Sequence, residues 1–323
     1  MSEVKGRFAP TPSGNMHVGN SFCYLLAWLS AKQQGGRIVL RMEDADLPRM
    51  RKSAVLQTLS DLEWLGLEWD EGPGPQQDGG LYYQSCRTEI YDRFFASLRE
   101  KGTVYPCFCS RKDILLAAAP HAEDCTPVYP GTCWNLSSEK AVQRMKTQKP
   151  AWRLHLEPET ITIHDRLFGR LSWDVQAECG DFPIRRTDGI YCYQFTTALD
   201  DVLMHISEVV RSNDLLASTP WQIYIQHLFG YQEPDYIHIP MLLDESGQRM
   251  AKRSVSLSIC EIRKHYTPKE VLGRLAFLAN LQSDWSPCTL EQLLSVFSWD
   301  RLPKQNIVIP KALFAKCQRE TSQ

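Results

Sequence analysis

Hydrophobic and polar positions along this chain follow a helical period in some segments and a strand-like run or alternation in others. Val4 to Ala9 reads as a short extended stretch, and Ser21 to Ala31 as an apolar helix. Gly36 to Met42 reads as a buried strand that ends in an acidic run, Glu43, Asp44 and Asp46. Ser53 to Leu65 sets Val55, Leu56, Leu59, Leu62 and Leu65 at helical spacing. Gly72 to Gly80 is a loop, and Ser85 to Lys101 puts Tyr91, Phe94, Phe95 and Leu98 on one helix face. This strand and helix order predicts an α/β unit with a parallel sheet. Ligands of such sheets sit beyond the strand carboxyl ends, where the Pro10–Asn20 turn and Glu43 would lie.

The pattern changes from Gly102 to about Arg186, where cysteines, prolines and short alternating runs such as Ile161 to Asp165 predict an inserted subdomain. The α/β pattern resumes with Tyr193 to Thr197, a helix-like Asp200 to Ile206, a strand Glu208 to Arg211 and a helix Ser218 to Phe229. Thr219 followed by Pro220 suits the start of that last helix. Beyond Ser254 the chain reads as helical over Pro268 to Leu281 and Leu290 to Phe297. The expected division is 1–101 and 187–253 as two halves of one α/β domain, 102–186 as the insertion, and 254–323 as a helical C-terminal segment.

Composition adds bounds rather than chemistry. With 323 residues, 43% apolar and 23% charged, the chain is of ordinary globular type and large enough for two or three packed units. The first residues lack the apolar run of a signal peptide, and Phe22 to Leu29 is too short to span a bilayer, so a cytoplasmic location without membrane contact is expected. Eleven cysteines in such a chain point to thiols and metal rather than disulfides. A net charge of −2 gives no hint of a nucleic-acid partner. Two local stretches are basic: Lys140, Arg144, Lys146, Lys149 and Arg153, and the tail with Arg301, Lys304, Lys311, Lys316 and Arg319. Both fit a solvated helix face as well as a phosphate backbone.

Two distant segments are built to hold phosphate. In Pro10-Thr-Pro-Ser-Gly-Asn-Met-His-Val-Gly-Asn20, a strand feeds through a turn into a helix N-terminus, which presents N–H groups and a positive dipole end. His17 adds a donor, and Gly19 lets a ligand approach the backbone. In Arg249-Met-Ala-Lys-Arg253, Lys252 follows a turn-rich loop and could clamp charge developing on a phosphate. His17-Val-Gly-Asn20 and Arg249-Met-Ala-Lys-Arg253 resemble the two ATP motifs of class I aminoacyl-tRNA synthetases, His-Ile-Gly-His and Lys-Met-Ser-Lys-Ser. Arg7 to Gly14, Arg41 to Asp46, Asp188 to Gln194 and Val209 to Arg211 are similar to the glutamate-specific branch. The resemblance covers nearly the whole chain and implies a Rossmann-like catalytic domain with an inserted zinc-binding subdomain.

It also implies roles. Arg7, Ser13, Glu43, Tyr193 and Arg211 match positions that bind glutamate: the arginines suit carboxylates and Glu43 the ammonium. Pro10, His17, Gly19, Asn20, Arg249, Met250 and Lys252 match ATP positions, with His17 and Lys252 as the catalytic pair and Mg²⁺ accompanying the nucleotide. Asn20, Arg249 and Ala251 depart from the motifs, and Ser212-Asn213 departs from the usual Gly-Glu after Arg211. Structural Zn²⁺ is implied at Cys107, Cys109, Tyr129 and Cys133, with Cys125 as a competing softer ligand. The other seven cysteines, from Cys23 to Cys317, are expected to pack as small hydrophobes. The chain stops at Gln323, which leaves no room for an anticodon-binding region and makes it similar to the glutamyl-Q tRNA(Asp) synthetase family. That resemblance implies a monomer that activates L-glutamate with ATP and transfers it to the queuosine base of tRNA(Asp). A truncated glutamyl-tRNA synthetase charging the tRNA 3′ end, or an inactive RNA-binding paralogue, are the rival readings.

Overall fold

The computed structural model describes residues 3–74, 80–110, 112–114, 128–248 and 257–318. Strand β1 (Lys5–Phe8) leads into helix α1 (Val18–Gln33), strand β2 (Arg37–Leu40) and helices α2 (Lys52–Leu65) and α3 (Thr88–Glu100). Next come β3 (Val104–Cys107), α4 (Ser138–Met145), β4 (Ala151–Leu154), the hairpin β5 (Thr160–Asp165) and β6 (Gly169–Asp174), and β7 (Phe182–Arg185). Helix α5 (Tyr193–Leu203), β8 (Glu208–Ser212), α6 (Thr219–Leu228) and β9 (Asp235–Ile239) follow, then β10 (Leu242–Leu243). The chain closes with α7 (Ile259–Ile262), α8 (Pro268–Leu278), α9 (Leu290–Val296) and β11 (Ile307–Val308), before short turns of helix.

Two parallel pairs carry the α/β unit. Strand β1 runs beside β2 with Arg7 opposite Val39, and β8 beside β9 with Arg211 opposite His238. Ser207 joins the pairs: its N–H donates to the Lys5 carbonyl, and its hydroxyl accepts from the Lys5 N–H, both at 2.9 Å. Arg7 and Arg211 therefore stand near the carboxyl ends of neighbouring strands, where open α/β sheets bind ligands. Strands β3, β4 and β7 form a separate antiparallel sheet.

Helix α1 is buried along most of its length, from Val18 and Phe22 to Leu29 and Ala31, because β strands flank one side and α9 the other. Such a helix needs little amphipathicity. It begins at Val18, three residues ahead of the Ser21 start expected from apolar spacing. The reason is local: His17 takes an extended cap conformation, and its N–H donates to Asn20 Oδ1 at 3.3 Å, so Gly19 and Asn20 fall inside the first turn. Residues 193–203 likewise form one helix rather than a segment followed by a separate helix. Phe195, Ala198, Leu199 and Val202 keep a helical period, but Thr196, Thr197, Asp200 and Asp201 are buried among them, so polarity marks no solvent face.

Gly36 fixes the return from α1 into β2. A Cβ there would stand 2.3 Å from the Val4 carbonyl oxygen, which belongs to backbone and cannot swing away. Gly36→Ala is expected to lower stability by about 1–3 kcal/mol, the usual cost of overpacking. Urea unfolding checks it through a lower midpoint at unchanged slope.

Candidate active site

The strand ends, the N-terminus of α1 and the segment after β9 enclose a cleft of about 1100 Å³. Arg7, Ser13, Glu43, Tyr193 and Arg211 line it together with His17, Gly19 and Asn20, so both sets of expected ligands meet in one space. Pro10 lies behind the wall, where its carbonyl accepts from the Glu43 N–H at 2.9 Å. Arg249, Met250 and Lys252 lie outside the described residues. Their flanks are visible: Met241 and Leu242 before them and Ser258 after them all line the cleft. Ser258 bridges antiparallel to His17, and Ile259 N–H donates to Met16 O at 2.8 Å, which ties the root of the second motif to the first.

Glu43 is set by a buried ionic cluster. Its Oε1 accepts from Arg41 at 3.1 Å and from the Thr197 hydroxyl at 3.0 Å. Arg41, with no exposed surface, also contacts Asp201 at 2.8 Å and Asp200 at 3.8 Å. Asp200 in turn accepts from Arg87, Gln84 and Tyr91 at 2.7–2.9 Å. Arg7 donates to the Val210 carbonyl at 2.8 Å and stands 3.7 Å from Asp201. Three arginines thus face three carboxylates, which keeps charge burial tolerable. Arg7 and Glu43 do not form the simple internal ion pair that their positions would also allow, since Glu43 meets Arg41 instead. Burial pushes the Glu43 carboxyl above the usual range, opposed by Arg41 and Arg7.

Arg211 is held differently. Its Nε donates to His238 Nε2 at 3.1 Å, and its two terminal nitrogens to Gln222 Oε1 at 2.6 Å and Thr219 Oγ1 at 2.8 Å. Its carbon end lies over the Tyr236 ring at 4.9 Å. Every one of these partners is neutral, and no carboxylate among the described residues comes within ion-pair distance of Arg211. A buried guanidinium facing a cleft on neutral acceptors alone is suited to an incoming carboxylate.

No binding role was expected for Thr197, Thr219, Gln222 or His238; Thr219 stood out only as a helix start, and Arg41 only as part of a motif. The available cue was polar: Thr219, Gln222 and Gln226 recur at helical spacing on an otherwise apolar helix and are all buried. Cys23 also lines the cleft, its thiol pushed up to about 11 by burial, and Cys86 is exposed rather than packed.

A second cluster lies at the end of β3. The sulfurs of Cys107, Cys109 and Cys133 all fall within 4.8 Å of one another. Tyr129 Oη is 3.4 Å from both Cys107 and Cys109 sulfurs, and Cys109 and Cys133 sulfurs are 3.5 Å apart. Four ligands around a tetrahedral ion such as Zn²⁺ require spacings of about this size. Donors point at three of the four atoms: Phe108 N–H at Cys133 Sγ, Arg153 Nε at Cys107 Sγ, and Cys133 N–H at Tyr129 Oη. Arg153 also lies 3.9 Å above the Tyr129 ring. Cys125 lies outside the described residues.

The chain belongs to the class I tRNA synthetases: the family described as "tRNA synthetases class I (E and Q), catalytic domain" matches residues 3–311. Among individual proteins, it is 41% identical to the glutamyl-Q tRNA(Asp) synthetase of Nitratidesulfovibrio vulgaris, covering 99% of this chain and 100% of that one. The glutamyl-Q tRNA(Asp) synthetase of Symbiobacterium thermophilum is 42% identical, over 96% of this chain and 97% of its own. A crystal structure of a glutamate tRNA ligase from Elizabethkingia meningosepticum in complex with its amino acid has the same fold. Its TM-score is 0.79 at 22% identity, covering 99% of this chain and 70% of that one. No helix among the described residues is long and apolar enough to cross a membrane.

Arg41→Met leaves three buried carboxylates short of a partner and is expected to cost about 3–5 kcal/mol in urea unfolding. His238 is held below its ordinary 6.5, first by burial and then by Arg211, against the opposing pull of Asp165. The unfolded chain therefore binds a proton that the folded chain does not. Stability from this residue is complete above pH 6.5 and is lost as the pH falls through the window beneath it. Urea midpoints from about pH 5 to 7.5 check this, since His238→Gln should remove that part of the decline.

Proposed function

We propose that this chain activates L-glutamate with ATP to glutamyl-adenylate and transfers the glutamyl group to the queuosine base in the anticodon of tRNA(Asp). The observation that carries the reading is Arg211: a buried guanidinium on neutral partners, in the same cleft as Glu43 and the His17 turn. Glutamate offers two carboxylates and one ammonium. Arg211 and Arg7 take carboxylate charge, Glu43 the ammonium, and Ser13 and Tyr193 add hydroxyls. Burial and the neighbouring Glu43 hold the Tyr193 phenol protonated as a donor. The two relatives named for this activity support the choice of RNA.

In the first step a glutamate carboxylate oxygen attacks the α-phosphorus of ATP, an acyl-phosphate bond forms, and pyrophosphate leaves. The protein contributes position and charge stabilisation. His17 and Gly19 meet the nucleotide at the α1 N-terminus, with Lys252 on the leaving pyrophosphate. Asn20, in place of a second histidine, acts by holding the turn through its bond to the His17 N–H. Bound with the nucleotide, Mg²⁺ supplies compensation of triphosphate charge. In the second step a nucleophilic group of the queuosine base displaces AMP. We also assign Zn²⁺ a structural role at Cys107, Cys109, Tyr129 and Cys133, within the inserted segment 102–186 between the two halves of the catalytic domain.

The deciding experiment offers labelled glutamate to queuosine-containing tRNA(Asp), queuosine-free tRNA(Asp) and tRNA(Glu). Label is expected on the first alone; label at the 3′ end of tRNA(Glu) overturns the reading. Arg211→Ala is expected to raise the KM for glutamate about 100-fold, the loss of charge-assisted bonds, in ATP–pyrophosphate exchange without RNA. Zinc is expected near one ion per chain, and Tyr129→Phe should lower retention under chelation while Cys125→Ser should not.

A further inference from the structure

Arg211 needs a fixed direction without losing the edge that faces the cleft. A carboxylate placed directly on it would occupy the fork that a substrate carboxylate must use. The fold avoids this by setting a neutral acceptor in front of a buried anion. Asp165, the last residue of β5, has no exposed side-chain surface and is satisfied by four N–H groups. Its Oδ1 accepts from Leu167 and Phe168 N–H, both at 2.9 Å. Its Oδ2 accepts from the His238 N–H and from His238 Nδ1, both at 2.8 Å. These bonds keep Asp165 ionised below the usual carboxylate range despite burial. With its proton committed to Nδ1, the imidazole has only a lone pair at Nε2. That lone pair accepts from Arg211 Nε at 3.1 Å and from the Thr219 hydroxyl at 3.0 Å. Thr219 Oγ1 in turn accepts from the other arm of Arg211.

We infer that Asp165 and His238 are positioning residues for glutamate binding, a relay that fixes the imidazole tautomer and through it the direction of the Arg211 guanidinium. Asp165 belongs to the β5–β6 hairpin, whereas Arg211 and His238 face each other on β8 and β9. A residue from the insertion thus sets the geometry of the amino-acid pocket in the parallel sheet. The inference rests on the proposed role of Arg211, and the substitutions separate the two.

Asp165→Asn is isosteric and tests the tautomer. Its amide oxygen keeps the Leu167 and Phe168 bonds, so its NH₂ faces His238: the backbone N–H of His238 loses its acceptor, and the ring must accept at Nδ1 and present its proton at Nε2 toward Arg211. His238→Leu removes the acceptor outright, while His238→Gln returns an acceptor near the Nε2 position. In ATP–pyrophosphate exchange by the full chain, the first two are expected to raise the KM for glutamate about tenfold or more, as losing one bond to a charged group does. The KM for ATP should stay within about twofold, and His238→Gln should recover most of the loss. Glutamate titration calorimetry on the same proteins should give the same order of affinities, and thermal melts identify folded samples. A structural role alone would lower the melting temperature and leave glutamate KM unmoved, or move both KM values together; either result in Asp165→Asn overturns the relay. Wild-type exchange that responds to glutamate but not to Asp165→Asn removes the relay and leaves the proposed function standing. Absence of glutamate-dependent exchange in the wild type removes that function and the relay with it.

Discussion

Arg41 has no exposed surface, and the floor of the cleft depends on how its charge is met. Glu43, Asp200 and Asp201 surround it, and Arg87 and Arg7 extend the alternation of charge on either side. Removing any one of these groups leaves an uncompensated ion in a low-dielectric interior. The cluster therefore constrains more than stability. It draws the end of β2 and helix α5 together and holds Glu43 at the cleft with one carboxylate oxygen already committed. The proposed pocket, for a zwitterion with an extra acid, would need such prearranged charge, because side chains reorganising at each binding event would spend affinity on ordering.

The two arginines of the pocket illustrate two ways of burying a cation. Arg7 leans toward a carboxylate and a backbone carbonyl, and so belongs to the cluster. Arg211 sits on an imidazole, an amide and a hydroxyl, with the nearest anion of its network one residue behind the imidazole. The first arrangement is charge-compensated within the fold, whereas the second suits the role proposed for Arg211. Both arise from strands whose carboxyl ends lie side by side, which follows from the parallel pairing of β1 with β2 and β8 with β9.

Much of this was legible in the residues. The family resemblance, rather than spacing alone, picked out Arg7, Ser13, His17, Glu43, Tyr193 and Arg211, and all six line the cleft. The resemblance also picked out Cys107, Cys109, Tyr129 and Cys133, whose side chains converge within a few ångströms. Support residues were not legible, for physical reasons. Asp165 meets His238 across 73 positions, and Gln84 meets Asp200 across 116, so no local period reports either contact. Thr197 is a buried polar residue of α5, and apolar spacing there marks Phe195, Ala198, Leu199 and Val202 rather than the hydroxyl that reaches Glu43. The start of α1 was misjudged because its cap is His17 with Asn20 rather than one of the usual hydroxyl or acid caps.

The proposed arrangement sets an acidic amino acid against a nucleotide in one cleft. A crystal of the full chain with L-glutamate and a non-hydrolysable ATP analogue measures it directly. A glutamate carboxylate is expected on Arg211, the ammonium beside Glu43, and the α-phosphate near His17 within reach of the second carboxylate. Glutamate bound elsewhere, or with its ammonium toward Arg211, would contradict it.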